Sequence, residues 1–201
     1  QLLSKASSQS IIASSVKKYL YARGINDIDI AKYGIGYATS GGYGGRIIIP
    51  SYNASNQLNF FIARTFQNSY FKYKNPQTSK DIIFFENLIN WNVPVILCEG
   101  VFDAMAIRRN AVPILGKTLS TSLYKKIISS KLKDVYISLD RDAKKRAFEI
   151  AEKLLNQGKR VFLIDLPDKD PSEMGFKAFT EHIQSAEELD LTGILRFKLD
   201  I

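Results

Sequence analysis

Cysteine, histidine and tryptophan are almost missing from these 201 residues, each occurring once. A lone cysteine, Cys98, excludes an internal disulfide, and with His182 the only histidine no cysteine-based zinc module can be assembled. No apolar run approaches the roughly 20 residues needed to span a bilayer, and no secretory signal is visible, so no membrane partner and a cytoplasmic, reducing setting are expected. Acids are outnumbered, 20 against 28 Lys and Arg, for a net charge of +8. That balance suits a polyanionic partner, although a merely solvated basic surface has the same composition. With 45% hydrophobic residues the chain can bury one good core, or a small subdomain packed on a larger one. It opens on Gln1 rather than Met, as an excerpt of a longer protein would.

What is present changes rhythm near Trp91. Before it, Ile11, Ile12, Val16, Tyr19 and Leu20 recur at helical spacing up to a stop at Gly24, and a short helix is expected over 28–33. A glycine-rich stretch follows, then strand-like RIIIP at 46–50 and QLNFFIARTF at 57–66, read as a hairpin across the turn-prone SYNASN. After Trp91 apolar strands alternate with helical stretches: VPVILCE, AVPILG, DVYISLD and RVFLIDL, with helices expected over 101–109, 120–130, 142–157 and 172–185. Such alternation is the signature of a parallel sheet covered on both faces. The expected fold class is therefore α/β, an α+β front subdomain over 1–90 followed by a domain over 91–185 with a mainly parallel sheet flanked by helices. Residues 186–201 show no clear period and are expected to form a tail that packs back or awaits a missing neighbour.

Acids gather after three of these strands. Glu99 and Gly100 follow VILC, with Asp103 in the first turn of the next helix; Asp140, Arg141 and Asp142 follow VYISL; Asp168 and Asp170 follow VFLIDLP. Residues just past the carboxyl ends of parallel strands meet at one sheet edge. Unpaired carboxylates at such an edge repel by about 4 kcal/mol per pair at an effective dielectric near 20, so a cation is expected among them, and all-oxygen ligands suit Mg²⁺ or Mn²⁺. Each motif alone has a plainer explanation: Glu99 in a surface turn, Asp142 as the cap of the next helix, Asp170 as a cap before Pro171. If 140–142 is extended, Asp140 and Asp142 face the same side and Arg141 the other.

Taken together, the three acidic loops resemble a TOPRIM domain, the catalytic module shared by DnaG-type primases, topoisomerases and certain nucleases. Its Glu-Gly after the first strand and Asp-x-Asp after the third are matched by Glu99 and by Asp140 with Asp142. The resemblance implies that Glu99, Asp140 and Asp142 are catalytic and, with Asp170 in support, hold the Mg²⁺ or Mn²⁺. The front half resembles the opening of the DnaG-type RNA polymerase domain, in YLYARGI, YGIGYA, GRIIIP, FFIART and KYKNP. That implies contacts to a single-stranded DNA template and incoming ribonucleoside triphosphates from Arg46, Arg64, Lys72 and Asn75. Lys74, among Tyr70, Phe71 and Tyr73, adds a basic and aromatic interleave suited to single strands.

Three positions depart from the family pattern. Glu86 stands where bacterial primases carry a basic residue, Lys144 and Lys145 replace an Ala-Gly pair, and Ser172 replaces an acid. They point to a phage or plasmid enzyme, which would work in a bacterial host's cytoplasm. The activity implied is a DNA primase making short RNA primers, with a replicative helicase and a zinc-binding module as partners outside this sequence. The rivals are a TOPRIM nuclease and a noncatalytic DNA-binding module of a replication assembly.

Overall fold

Apolar strands of three to five residues, each followed by a helix, pair in parallel with helices on both faces, and the second half of the chain does so. The structure, a computed structural model, describes residues 1–5, 11–116, 118–166 and 170–199, with backbone only for Lys5 and Arg141. It divides into two units, Gln1–Ser79 and Lys80–Ile201.

In the first unit, helix α1 (Ile11–Tyr21) buries Ala13, Val16 and Leu20, one face of the expected period. Helix α2 (Asp27–Lys32) starts on a reciprocal cap in which the Asn26 side chain accepts from the Asp29 amide and Asp29 accepts from that of Asn26, both at 3.0 Å. Strands β1 (Gly36–Ala38), β2 (Arg46–Tyr52) and β3 (Leu58–Thr65) form an antiparallel sheet in that order. The Asn53 side chain shapes the β2–β3 turn, its Oδ1 accepting from the amides of Ser55 and Gln57. Residues 72–74 lie along the free edge of β3, through an Arg64–Tyr73 bridge and the bonds Thr65 N–H to Lys72 O and Lys74 N–H to Ala63 O.

The second unit holds β4 (Val95–Cys98), α3 (Val101–Ile107), β5 (Ala111–Pro113), α4 (Thr121–Ser129), β6 (Asp134–Ser138), α5 (Lys144–Leu155), β7 (Arg160–Leu163), α6 (Pro171–Gln184), β8 (Glu187–Leu189) and α7 (Leu191–Leu199). Its sheet runs β5-β4-β6-β7-β8, parallel except for β8. From β4 the chain moves outward to β5 and then crosses back to β6 on the other side of β4. Right-handed crossovers therefore place α3 on one face and α4 and α5 on the other. The core on the second face agrees, with Val95, Leu97, Val112, Val135 and Ile137 packing against Leu123, Ile127, Ala147, Ile150 and Leu154. Cys98 is fully buried at the end of β4, as a small core hydrophobe would be.

One expected boundary is corrected and one open alternative is resolved. Residues 80–90 belong to the second unit rather than the first: Ile83 sits in its core and Glu86 pairs with Lys126 at 3.4 Å. Residues 186–199, expected as a tail that packs back or awaits a missing neighbour, do pack back, and as ordered elements: β8 adds an antiparallel edge strand and α7 packs on α5, stacking Phe197 on Phe148 at 3.7 Å between ring centroids. A short antiparallel edge strand and a nine-residue helix offer too little period to be read from sequence.

Candidate active site at the sheet switch point

Because β5 and β6 lie on opposite sides of β4, the direction of sheet growth reverses between β4 and β6, and a crevice opens past their carboxyl ends. Cys98 is in register with Ser138, so Glu99 and Asp140 leave neighbouring strands at that reversal. Asp140 is half-exposed, and its carboxyl is raised above the usual range by burial first, then by the charges of Glu99, Asp170 and Asp142. Glu99, Asp142 and Asp170, the other acids named from the sequence, are therefore each within electrostatic reach of Asp140.

Details differ from expectation. The chain turns at Asp140 into a 3-10 segment, Arg141–Ala143, so the extended geometry expected for Asp140-x-Asp142 does not form. The Ala143 amide donates to the Asp140 carbonyl at 2.8 Å, and α5 begins after Ala143 without a side-chain cap, so Asp142 does not cap it. The side chain of Arg141, and the whole of Asp168, lie outside the described residues. Asp170 is a true cap: it accepts from the Glu173 amide at 2.9 Å, and Pro171 opens α6. Ser172, where the family pattern has an acid, donates its hydroxyl to Asp170 at 2.7 Å. Lys144 and Lys145 are exposed at the start of α5.

Two more residues belong to this site: Asp103, read from the sequence only as a first-turn helix acid, and Arg146, which the sequence did not single out. Asp103 is 9% exposed on α3, and its carboxylate accepts from the Gly100 amide at 3.0 Å. It comes so close that a Cβ on Gly100 would lie 3.2 Å from Asp103 Oδ2, so a side chain there would crowd this contact. Burial, then the Asp170 charge, push the Asp103 carboxyl up to about 7 against the pull of the Gly100 and Ser172 amides. The second is Arg146 on α5, whose Nη2 donates to Glu99 Oε2 at 2.7 Å. A capping acid three residues after Gly100 and a lone Arg after two lysines were the only signals, and both are commonplace.

The donor chemistry fits a hard divalent cation, since the acids are all-oxygen ligands and, after burial, the neighbouring negative charges raise Asp140. Among the described residues no three acids already stand close enough to enclose an ion, and Glu99 is turned to Arg146.

In the first unit the residues expected to touch nucleic acid line the β3 edge. Arg46 donates to the carbonyls of Phe71 and Lys72 at 3.1 and 3.3 Å, and Lys74 to that of Gly42 at 2.6 Å. Arg64 donates from Nε to the Tyr19 hydroxyl at 3.0 Å and lies over the Tyr73 ring at 4.5 Å. The Asn75 side chain accepts from the Ala63 amide at 3.4 Å. These four tie the edge together, whereas the side chain of Lys72 is exposed. Tyr70 and Phe71, 94% and 70% exposed, stand outside the core.

A Toprim-like family model matches residues 96–174, the span from β4 into α6. The DNA primase of Thermotoga maritima is 28% identical over 211 residues, covering 81% of this chain and 37% of that protein. A Mycoplasma pneumoniae protein, described as an uncharacterized MG010 homolog, is 31% identical over 163 residues, 76% of each chain. A solved DnaG primase catalytic domain bound to ssDNA shares the fold, with a TM-score of 0.77 at 22% identity over 95% of this chain and 77% of that one. The chain thus spans little more than a third of the full-length Thermotoga maritima primase. No helix among the described residues is long and apolar enough to cross a membrane. Residues 96–174 thus carry a Toprim-like domain, the chain is homologous to DNA primases, and it belongs to one family with the Mycoplasma pneumoniae MG010 homolog.

Proposed function

We propose that this chain is the catalytic core of a DNA primase, which joins ribonucleoside triphosphates into a short RNA primer on single-stranded DNA. The observation that carries the reading is the union, in one chain, of switch-point acids after β4 and β6 with a front unit in which Arg46 of β2, Arg64 of β3 and Lys72 and Lys74 of the segment paired along β3 gather beside exposed aromatics. In the reaction the primer 3′-oxygen bonds to the α-phosphorus, the bond from that phosphorus to the β-phosphate bridge breaks, and pyrophosphate leaves as the hydroxyl proton is lost.

Asp140, Asp142 and Asp170, with Glu99, would hold Mg²⁺ or Mn²⁺, which when bound neutralises the triphosphate and lowers the barrier to in-line displacement. Ser172 fixes Asp170 through its hydroxyl, and Asp103 fixes the Glu99-Gly100 turn through the Gly100 amide. On the template side Arg46 and Arg64 shape the strand edge, and Lys72 presents its ammonium to phosphate. Glu86, bonded to Lys126 within the second unit, serves packing rather than nucleotide contact.

The test is incorporation of a labelled ribonucleotide onto a primer annealed to single-stranded DNA, with Mg²⁺ or Mn²⁺. Metal-dependent lengthening supports the reading. Metal-dependent shortening would make the chain a nuclease, and DNA binding with neither would make it a noncatalytic replication module. Lys72→Ala is expected to weaken DNA binding and lower the slope of log affinity against log salt by about one, the signature of a lost phosphate contact. An unchanged slope in a salt titration removes Lys72 from the interface.

A further inference from the structure

Arg146 reaches across the switch point to the first acid of the site. Its Nη2 donates to Glu99 Oε2 at 2.7 Å and its Nη1 to the Gly116 carbonyl at 3.1 Å. The Arg146 side chain is 17% exposed and its Nε is buried without a hydrogen-bond partner, whereas the Glu99 side chain is 40% exposed, so the arginine is the enclosed partner and the carboxylate keeps a face open to an arriving cation. The loop after β5 is shaped to meet it: Leu115 adopts φ 52°, a left-handed conformation that a residue with a Cβ resists, and its amide donates to the Glu99 carbonyl at 3.3 Å. One cation on α5 thereby joins the loops after β4 and β5. It also opposes the neighbouring acids in their effect on Asp140.

A hard divalent cation in this crevice would want the carboxylate that Arg146 already holds. We propose that Arg146 is a positioning residue acting as an internal counter-cation for Glu99: it holds the carboxylate before a divalent cation arrives and competes with that cation for it, setting the site's cation demand. The inference rests on the metal-dependent reading proposed above. Removing the guanidinium frees an anionic ligand and deepens the negative potential of the crevice, so metal affinity rises. The freed Glu99 is no longer fixed, so turnover falls. A purely structural tether would lower thermal stability and leave intrinsic metal affinity unchanged.

The experiment measures Mn²⁺ binding to the whole chain by electron paramagnetic resonance of free Mn²⁺, without DNA or nucleotide, beside a thermal melt. Arg146→Gln is expected to bind Mn²⁺ roughly tenfold more tightly, a coupling of ordinary size between linked sites. In a Glu99→Gln background the same substitution is expected to change affinity by only about twofold, because the contested ligand is gone. Arg146→Lys, which keeps the charge but loses the fork, is expected to fall between, roughly threefold tighter, and decides the matter if Arg146→Gln does not fold. Unchanged or weakened Mn²⁺ binding in the folded variants overturns the inference while the metal reading stands, as does an equal gain with and without Glu99. No Mn²⁺ binding by the wild-type chain overturns both.

Discussion

Replacing Asp140 by Asn is expected to cut ribonucleotide incorporation by at least roughly 10²–10³-fold, the scale on which single electrostatic contributors to a transition state act. Asp140 follows β6 at the sheet reversal, and the charges of Glu99, Asp170 and Asp142 all bear on its carboxyl. Asn has nearly the same shape but cannot carry the negative charge that a divalent cation needs. The same substitution removes one charge from a cluster of like charges, so the melting temperature of the metal-free protein is expected to hold or rise. Loss of activity beside undiminished stability is the combination that marks a catalytic acid, since damaged packing would lower both. DNA affinity, measured by fluorescence anisotropy, is expected to persist because the basic edge lies on β3 in the first unit. Full synthesis by the Asn variant would end Asp140's assignment to the reaction.

Much of this architecture was legible because period and punctuation agree. Four apolar runs, each followed by a helical pattern, leave a parallel sheet as the economical answer, and the acids after the first, third and fourth runs then fall at one edge. The antiparallel β8 and the helix α7 were not legible, since a strand of three residues, EEL, carries no alternation to detect. The local conformation of 140–142 was also hidden. Two acids spaced by one residue share a face only on extended backbone, and the chain leaves the strand at Ser138 and turns at once. Least visible were the residues that acquire meaning only through partners far along the chain: Arg146, 47 positions from Glu99, and Asp103, which answers to Asp170 on another helix. Patterning reports which face of an element is buried, but the neighbour that a buried charge will meet is decided by topology.

Asp103 supplies the second large effect, and it concerns stability against pH. Its carboxyl is raised to about 7 in the folded chain, by burial first and then by Asp170, from an ordinary value near 3.8. Between those two values the folded state keeps a proton that the unfolded chain releases, so stability falls as pH rises from about 4 through 7. A difference of three pH units corresponds to about 4 kcal/mol, present in full only above pH 7. Asp103→Asn retains an oxygen to accept from the Gly100 and Ser172 amides and abolishes the buried charge. The variant is expected to melt within a degree or two of wild type near pH 4, and about 10 °C above it at pH 8, at the few degrees per kcal/mol typical of a chain this long. Mg²⁺ is expected to narrow the gap at pH 8, because a cation beside Asp140 and Asp170 offsets the field that makes ionised Asp103 costly. Melting curves for both proteins from pH 4 to 8, with and without Mg²⁺, check this. Parallel pH profiles would show that Asp103 ionises in the folded chain as readily as in the unfolded one and would end its part in the pH dependence.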